Sequence, residues 1–217
     1  QMGKSHVHPL SLPTERLFVP LPGSACLAGS KRLLLRGDAH ESFYAPDPSS
    51  SNGPQSVNRS VKEQLGQVNG LDGTPESDDG LDASFFWFDN ATQVLSFAGA
   101  HMALHVLHPG AEQLETIAGQ RMGVGYVDSH FDYQWSVSRV QMQPASLMFI
   151  ATDGLIDQIG GPKRIAFGKR KAFETIVAHR NQPSNEICEA LQSALAVWQG
   201  EQARRDDLTL FCARIQE

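Results

Sequence analysis

Two groups of carboxylates lie where apolar runs of the sequence end or begin. Asp153 closely follows the apolar run 147–151, and Asp206 and Asp207 directly precede the apolar run 208–213. If both runs are buried strands, these carboxylates lie at rigid sheet edges, where they can converge on a divalent cation. Mg²⁺ and Mn²⁺ prefer such oxygen ligands. Taken singly, each group is more often a turn that only ends a strand.

A third candidate of the same kind is Asp38. It follows the apolar run 33–35 through Arg36 and Gly37, so its position relative to a strand end would be similar. No aspartate occurs in residues 1–36, and that part of the chain therefore offers no further aspartate for a metal. The sequence predicts a carboxylate site built from up to three separate segments.

Composition and charge limit what the chain can be. Its 217 residues, 41% of them hydrophobic, suffice for one sizeable core. The net charge of -6 argues against a nucleic-acid partner or an anionic membrane surface. Three widely spaced cysteines without a CxxC pair fit a reducing, cytoplasmic setting. No apolar run approaches the roughly 20 residues of a membrane helix, so we expect no membrane contact by this piece. The parent protein could carry an anchor elsewhere.

The elements that must position the carboxylates can be predicted from hydrophobic spacing. Residues 1–54 are interrupted by seven prolines and should form an irregular segment with short strands, part of the same domain as the core at 55–217. Alternating or continuous apolar runs predict a hairpin and further strands, and spacings of three and four residues predict helices. The predicted strands are 83–88, 94–98, 103–107, 131–137, 146–151 and 208–213, and the predicted helices are 57–65, 169–179 and one capped by Ser184 that ends before Gly200. Strands followed by helices and a returning strand predict an α+β fold with central antiparallel β-sheets flanked by helices.

Five segments of the sequence resemble one known family. The segments are 149–157 (FIATDGLID), 205–210 (RDDLTL), 97–101 (FAGAH), 119–126 (GQRMGVGY) and 58–65 (NRSVKEQL). Their order and content resemble the SpoIIE-like branch of the PPM (PP2C-type) protein serine/threonine phosphatases. The likeness runs from about Val57 to Ile215 and is nearest to phosphatase output domains of bacterial signalling proteins that act by partner switching.

The resemblance implies a PP2C-like layered fold and a centre with two Mn²⁺ or Mg²⁺ ions. In this family a metal-activated water hydrolyses phosphoserine or phosphothreonine, and no protein nucleophile is needed. By motif match, Asp153 and Asp206 would bind metal, Asp38 would take the bridging position with the carbonyl of Ala39, and Asp207 would orient its neighbour. The implied partner is a phosphorylated regulatory protein similar to an anti-sigma-factor antagonist.

Two departures from the family pattern leave an alternative open. Asp38 is followed by Ala39 and His40 where the family has a glycine-histidine-glycine turn, and the family's glycine-glycine-aspartate motif has no counterpart in residues 1–36. The alternative is a metal-depleted pseudophosphatase that binds its partner without turnover. A third interpretation is a structural domain in which the acidic turns are only turns.

Two other patterns admit a functional and a plain interpretation. His101, His105 and His108 have a spacing that would suit zinc on a helix, but the segment is predicted as strand, where they would lie on a solvated or partly packed face. A second pattern is a basic cluster, which is most often a solvated face but could steer a phosphoprotein. Its members are Lys163, Arg164, Lys169, Arg170 and Lys171.

Overall fold

The computed structural model describes residues 25–29, 52–65 and 79–215. The elements in chain order are β1 Ala25–Gly29, α1 Asn52–Gln64, β2 Ala83–Asp89, β3 Val94–Ala100, β4 Leu104–Leu107, β5 Glu115–Ile117, β6 Ser138–Gln141, β7 Leu147–Ala151, α2 Asp153–Ile156, β8 Ile159–Gly160, β9 Ile165–Ala166, α3 Gly168–Ala178, α4 Ser184–Gln199 and β10 Thr209–Arg214. None of the described helices is long and apolar enough to cross a membrane.

The strands form two main antiparallel sheets and a small hairpin. The first sheet has five strands in the order β1-β10-β7-β4-β5, and the second has three in the order β2-β3-β6. Strands β8 and β9 pair only with each other. The central strand β7 is buried on both faces, which explains why its sequence is a continuous apolar run without alternation.

The two sheets pack face to face around one core cluster. From β7, Met148 and Ile150 point into this cluster, where they meet Leu95 and Phe97 of β3 and Phe211 of β10. The alternate residues of β7, such as Phe149, belong to a second cluster on the opposite face of the sheet. This period of two is the geometry of a strand between two apolar layers.

Helices cover the outer faces of both sheets. Ile176 of α3 and Leu191 and Leu195 of α4 are fully buried against the five-stranded sheet. On the other side, Val61 of α1 packs with Ala98 and neighbouring side chains behind the three-stranded sheet. The order helix, sheet, sheet, helix confirms the predicted α+β layered fold.

Helix α1 is also attached by buried polar groups. The amide of Asn58 accepts hydrogen bonds from the Gly125 N–H at 2.7 Å and the Ser129 hydroxyl at 2.8 Å, and it donates to the His130 carbonyl at 3.0 Å. The Lys62 ammonium donates to the Tyr126 carbonyl at 2.5 Å. These bonds fix the helix to the loop that precedes β6.

Three details of the predicted elements need correction. Residues 131–137 form no strand; the strand begins at Ser138, and Trp135 is buried in an irregular segment with its indole N–H donating to the Met122 carbonyl at 3.0 Å. Pro183 takes the N-cap position of α4, and Ser184 is the first helical residue. Helix α1 starts at Asn52, five residues before the predicted Val57. The proposed division of the chain near residue 54 stays a prediction.

Candidate functional site

Strand register places the loops after β7 and before β10 at the same end of the five-stranded sheet, which we call the site edge. Ala151, the last residue of β7, pairs with Leu210 near the start of β10, so the segments after β7 and before β10 are neighbours. Strand β1 ends at the same edge, because Gly29 pairs with Thr209. The two acidic turns predicted to carry chemistry therefore lie side by side at this edge.

Gly154 is where the two turns touch. A Cβ atom at this position would lie 2.4 Å from the carbonyl oxygen of Asp207 and 3.1 Å from that of Asp206. Such distances are shorter than an ordinary van der Waals contact, so only glycine allows the main chain of one turn to approach the other this closely.

Thr152 joins the same two turns through hydrogen bonds. Its hydroxyl donates to the Asp207 carbonyl at 2.9 Å and accepts from the Thr209 N–H at 2.9 Å. Its own N–H donates to the Thr209 carbonyl at 3.1 Å. Because Thr152 directly precedes Asp153, these three bonds hold the main chain at Asp153 at a set position relative to the turn that carries Asp206.

The carboxylates themselves face solvent. Asp153 is exposed at the first position of α2, and Asp206 is exposed in the turn before β10. One oxygen of Asp206 accepts the Asp207 N–H at 2.7 Å. The contact seen between these two aspartates is thus made by the main chain of Asp207, and the orienting role predicted for its half-buried side chain stays a prediction.

A buried glutamine, which sequence reasoning did not single out, anchors the loop that carries Asp206. Gln158 is fully buried, donates from its amide nitrogen to the Ala203 carbonyl at 3.0 Å, and accepts the Arg205 N–H at 3.2 Å. A single glutamine between Asp157 and Ile159 carries no distinguishing pattern, and its role depends on a loop 45 residues further along the chain.

The donor set suits a hard divalent cation but is incomplete in the described part of the chain. Asp153 and Asp206 offer exposed carboxylate oxygens, the ligands that Mg²⁺ and Mn²⁺ prefer. Within the described ranges, no group of three or more His, Cys, Asp or Glu side chains could hold a metal ion. Asp38 and Ala39, the other predicted ligands, lie outside the described residues. The described carboxylates therefore fit part of a metal site.

The three histidines lie in three different environments. His105, in β4, is buried, shares a hydrogen bond of 2.9 Å with the Thr116 hydroxyl, and packs edge-on against Phe173. Burial, with a smaller contribution from the positive charge of Lys169, lowers the pKa of His105 to about 4. The expected strand position is correct for this histidine, but its side chain is buried, where a solvated or partly packed face was expected.

The other two histidines lie outside the strands. The Nδ1 atom of His101 is 2.7 Å from an Asp82 carboxylate oxygen in an exposed pair. His108 follows β4 and bonds to the Ser146 hydroxyl at 3.0 Å.

The predicted basic cluster is divided among separate contacts. Lys171 stacks 3.9 Å from the ring centroid of Trp198. Arg170 pairs with Glu174 at 3.4 Å on the exposed side of α3. Lys163 and Arg164 remain exposed at the turn between β8 and β9.

The sequence profile of the family described as Stage II sporulation protein E (SpoIIE) matches residues 39–216. The chain belongs to this family, and it is a PPM-type serine/threonine phosphatase domain. No curated protein sequence gives a significant match.

Solved structures with the same fold include phosphatase domains from two named bacteria. The SiaA-PP2C domain of Pseudomonas aeruginosa is 25% identical over 76% of this chain and 70% of that chain, with a TM-score of 0.54. The PP2C domain of SpoIIE from Bacillus subtilis, with a fragment of its regulatory domain, is 15% identical over 76% of this chain, with a TM-score of 0.53. The match spans 49% of that SpoIIE chain, about half its length. The catalytic domain of the phosphatase PstP, in complex with 2 manganese ions, is 11% identical over 83% of this chain and 75% of that chain, with a TM-score of 0.52.

Proposed function

We propose that this domain hydrolyses phosphoserine or phosphothreonine on a regulatory partner protein in bacterial signalling, and that it depends on two Mn²⁺ or Mg²⁺ ions. The observation that carries the proposal is the close contact of the two acidic turns at Gly154. That contact places Asp153 and Asp206 on adjoining loops at one sheet edge, as a shared ion would require. We expect the domain to act in the cytoplasm.

Each residue of the site has a distinct part in this proposal. When bound, the metal ions would lower the pKa of a water molecule and neutralise the charge that develops on the phosphoryl oxygens. Asp153 and Asp206 would hold the ions, and Thr152 fixes the relative position of the two turns through its hydrogen bonds. Asp38 and Ala39 would complete the ligand set from outside the described residues.

The identity of the partner rests on two likenesses. The sequence around 77–81 and 154–161 resembles phosphatase output domains of bacterial signalling receptors that act in partner switching. The SiaA-PP2C domain is 25% identical to this chain over 76% of this chain. Both support a phosphorylated protein similar to an anti-sigma-factor antagonist as the substrate.

The test is hydrolysis of a generic aryl phosphate with and without Mn²⁺, compared among the chain and its Asp153→Ala and Asp206→Ala variants. We expect turnover that requires Mn²⁺ and falls at least about 100-fold in both variants, because each removes an ion's carboxylate ligand. Asp132→Ala removes an exposed carboxylate in the loop before β6, outside the two acidic turns, and should leave turnover unchanged. If the chain shows no turnover at any Mn²⁺ concentration, the active enzyme is ruled out and the partner-binding pseudophosphatase takes its place.

A further inference from the structure

A small basic surface borders the candidate site. Lys163 and Arg164 are exposed at the turn of the β8–β9 hairpin, and Ile165 beside them is 50% exposed. Arg204 and Arg205 are exposed in the loop that ends at the site. We call these five residues the basic rim.

The hairpin of the basic rim is held rigidly against helix α4. The main-chain carbonyl of Trp198 accepts the Gly161 N–H at 2.7 Å, and the Trp198 indole donates to the Ile165 carbonyl at 3.1 Å. A Cβ on Gly160 would lie 1.9 Å from the Trp198 carbonyl oxygen, so the main chain of the hairpin lies directly against the main chain of α4. Because the main chain of the hairpin is fixed in this way, it loses little conformational entropy when a partner binds.

The two parts of the rim are joined to each other and to the site by Gln158. This residue precedes β8, and its side chain bonds to the Ala203 carbonyl and the Arg205 N–H at 3.0 and 3.2 Å. Arg205 is the neighbour of Asp206 in the chain. The rim therefore extends from the hairpin turn to one of the predicted metal ligands.

The cations of the rim are available for a partner. In the part of the chain that the structure describes, the ion pairs and cation–π contacts involve none of the four rim cations. Asp206 directly follows Arg205 in the chain, and Asp157 and Glu201 are further exposed acidic residues close in sequence to the rim. Within those same ranges none of these three forms an ion pair with a rim cation. The four cations therefore form an exposed basic strip beside the acidic turns, on a chain whose overall charge is -6.

The geometry points to an acidic segment of the phosphorylated partner, flanking its phosphoserine, as the occupant of the basic rim. Carboxylates of that segment would meet the four cations, and an apolar side chain would cover Ile165, while the phosphoserine reaches the carboxylate site. This inference rests on the proposed function and adds a preference for acidic flanks to it. A membrane is less suited to the rim, because a single exposed isoleucine gives little apolar area for insertion.

The experiment measures binding of fluorescent phosphoserine peptides with acidic or neutral flanks to the full 217-residue chain by anisotropy. The acidic peptide should bind about ten-fold more tightly, and the difference should shrink as salt is raised. Lys163→Gln combined with Arg164→Gln should abolish the difference in affinity between the two peptides without changing turnover of the aryl phosphate. Arg139→Glu lowers the net charge by the same amount at an exposed position of β6, and it should preserve the difference in affinity.

Three outcomes would overturn the inference. They are equal affinity for both peptides, a preference that survives in the Lys163/Arg164 variant, and rim-dependent binding to phosphatidylglycerol vesicles without binding of the acidic peptide. Failure of the proposed function is a separate result, because it shows as absent aryl phosphate turnover in the unmodified chain while the peptide preference can still be measured.

Discussion

At Gly154 the main chains of the two acidic turns are in contact, and this contact requires a residue without a side chain. Gly154→Ala would place a methyl group 2.4 Å from the Asp207 carbonyl oxygen and push the turns apart. We expect a loss of about 1–3 kcal/mol in the free energy of unfolding and a fall in Mn²⁺-dependent turnover, measured by urea titration and aryl phosphate hydrolysis.

Gly110→Ala is the matched control for this prediction. Gly110 has a positive φ of 76°, but a methyl group at its Cα would meet no other atom within 4 Å, so alanine there costs only backbone strain, about 1–2 kcal/mol. Turnover by the Gly110→Ala variant should equal that of the unmodified chain. Equal turnover in Gly154→Ala and the unmodified chain would contradict the importance of the contact.

His105 should make stability depend on pH. Its pKa is lowered to about 4 in the folded chain, compared with about 6.5 when unfolded, so below pH 6.5 the unfolded chain binds a proton that the folded chain does not. The contribution of neutral His105 to the free energy of unfolding is fully present above pH 6.5 and is lost as the pH falls towards 4. Between pH 7 and 5 the loss should be about 2 kcal/mol.

The measurement is the free energy of unfolding by urea at pH 7 and pH 5. His105→Gln should lose less stability over this interval than the unmodified chain, and His130→Gln, at an exposed position, should lose as much. An identical pH dependence in His105→Gln would show that another group is responsible.

The sequence was sufficient to place Asp153 and Asp206 at strand ends, because an apolar run that stops at a carboxylate is a local signal. It could not show that Thr152 and Gln158 fix these turns. Their partners lie 45 to 57 residues away in the chain, and hydrogen bonds over such separations leave no periodic pattern. The ligand roles of the two aspartates stay predictions.

At the scale of elements, apolar spacing predicted best where an element packs directly on an apolar layer. Strand β7 and helices α3 and α4 fall within one or two residues of their predicted bounds. The segment 131–137 was misread because its apolar residues, including Trp135, pack against α1 and its surroundings without pairing as a strand. Likewise, the amide of Asn58 holds α1 in place through contacts about 70 residues away, which helix periodicity does not reveal.

Strand β1 supplies a testable element-scale property. It covers the outer edge of β10 through five paired positions, from Ala25 with Ala213 to Gly29 with Thr209, yet it precedes the family match, which begins at residue 39. Deleting residues 1–30 would expose the backbone groups of β10. We expect a lower free energy of unfolding and larger species in light scattering than for the full chain. Unchanged size and stability would show that β1 is dispensable.

For the whole molecule, a bound ion must stabilise the folded state if the site exists, whether or not turnover follows. Free Mn²⁺ at about 100 times its dissociation constant adds about 2.7 kcal/mol, which for a chain of this length raises the unfolding midpoint by roughly 5–10 °C. EDTA should reverse the shift, and Asp153→Ala and Asp206→Ala should reduce it, whereas Asp132→Ala should not. A shift without turnover would indicate a metal-binding pseudophosphatase. No shift in the unmodified chain would contradict a metal site formed by these two turns.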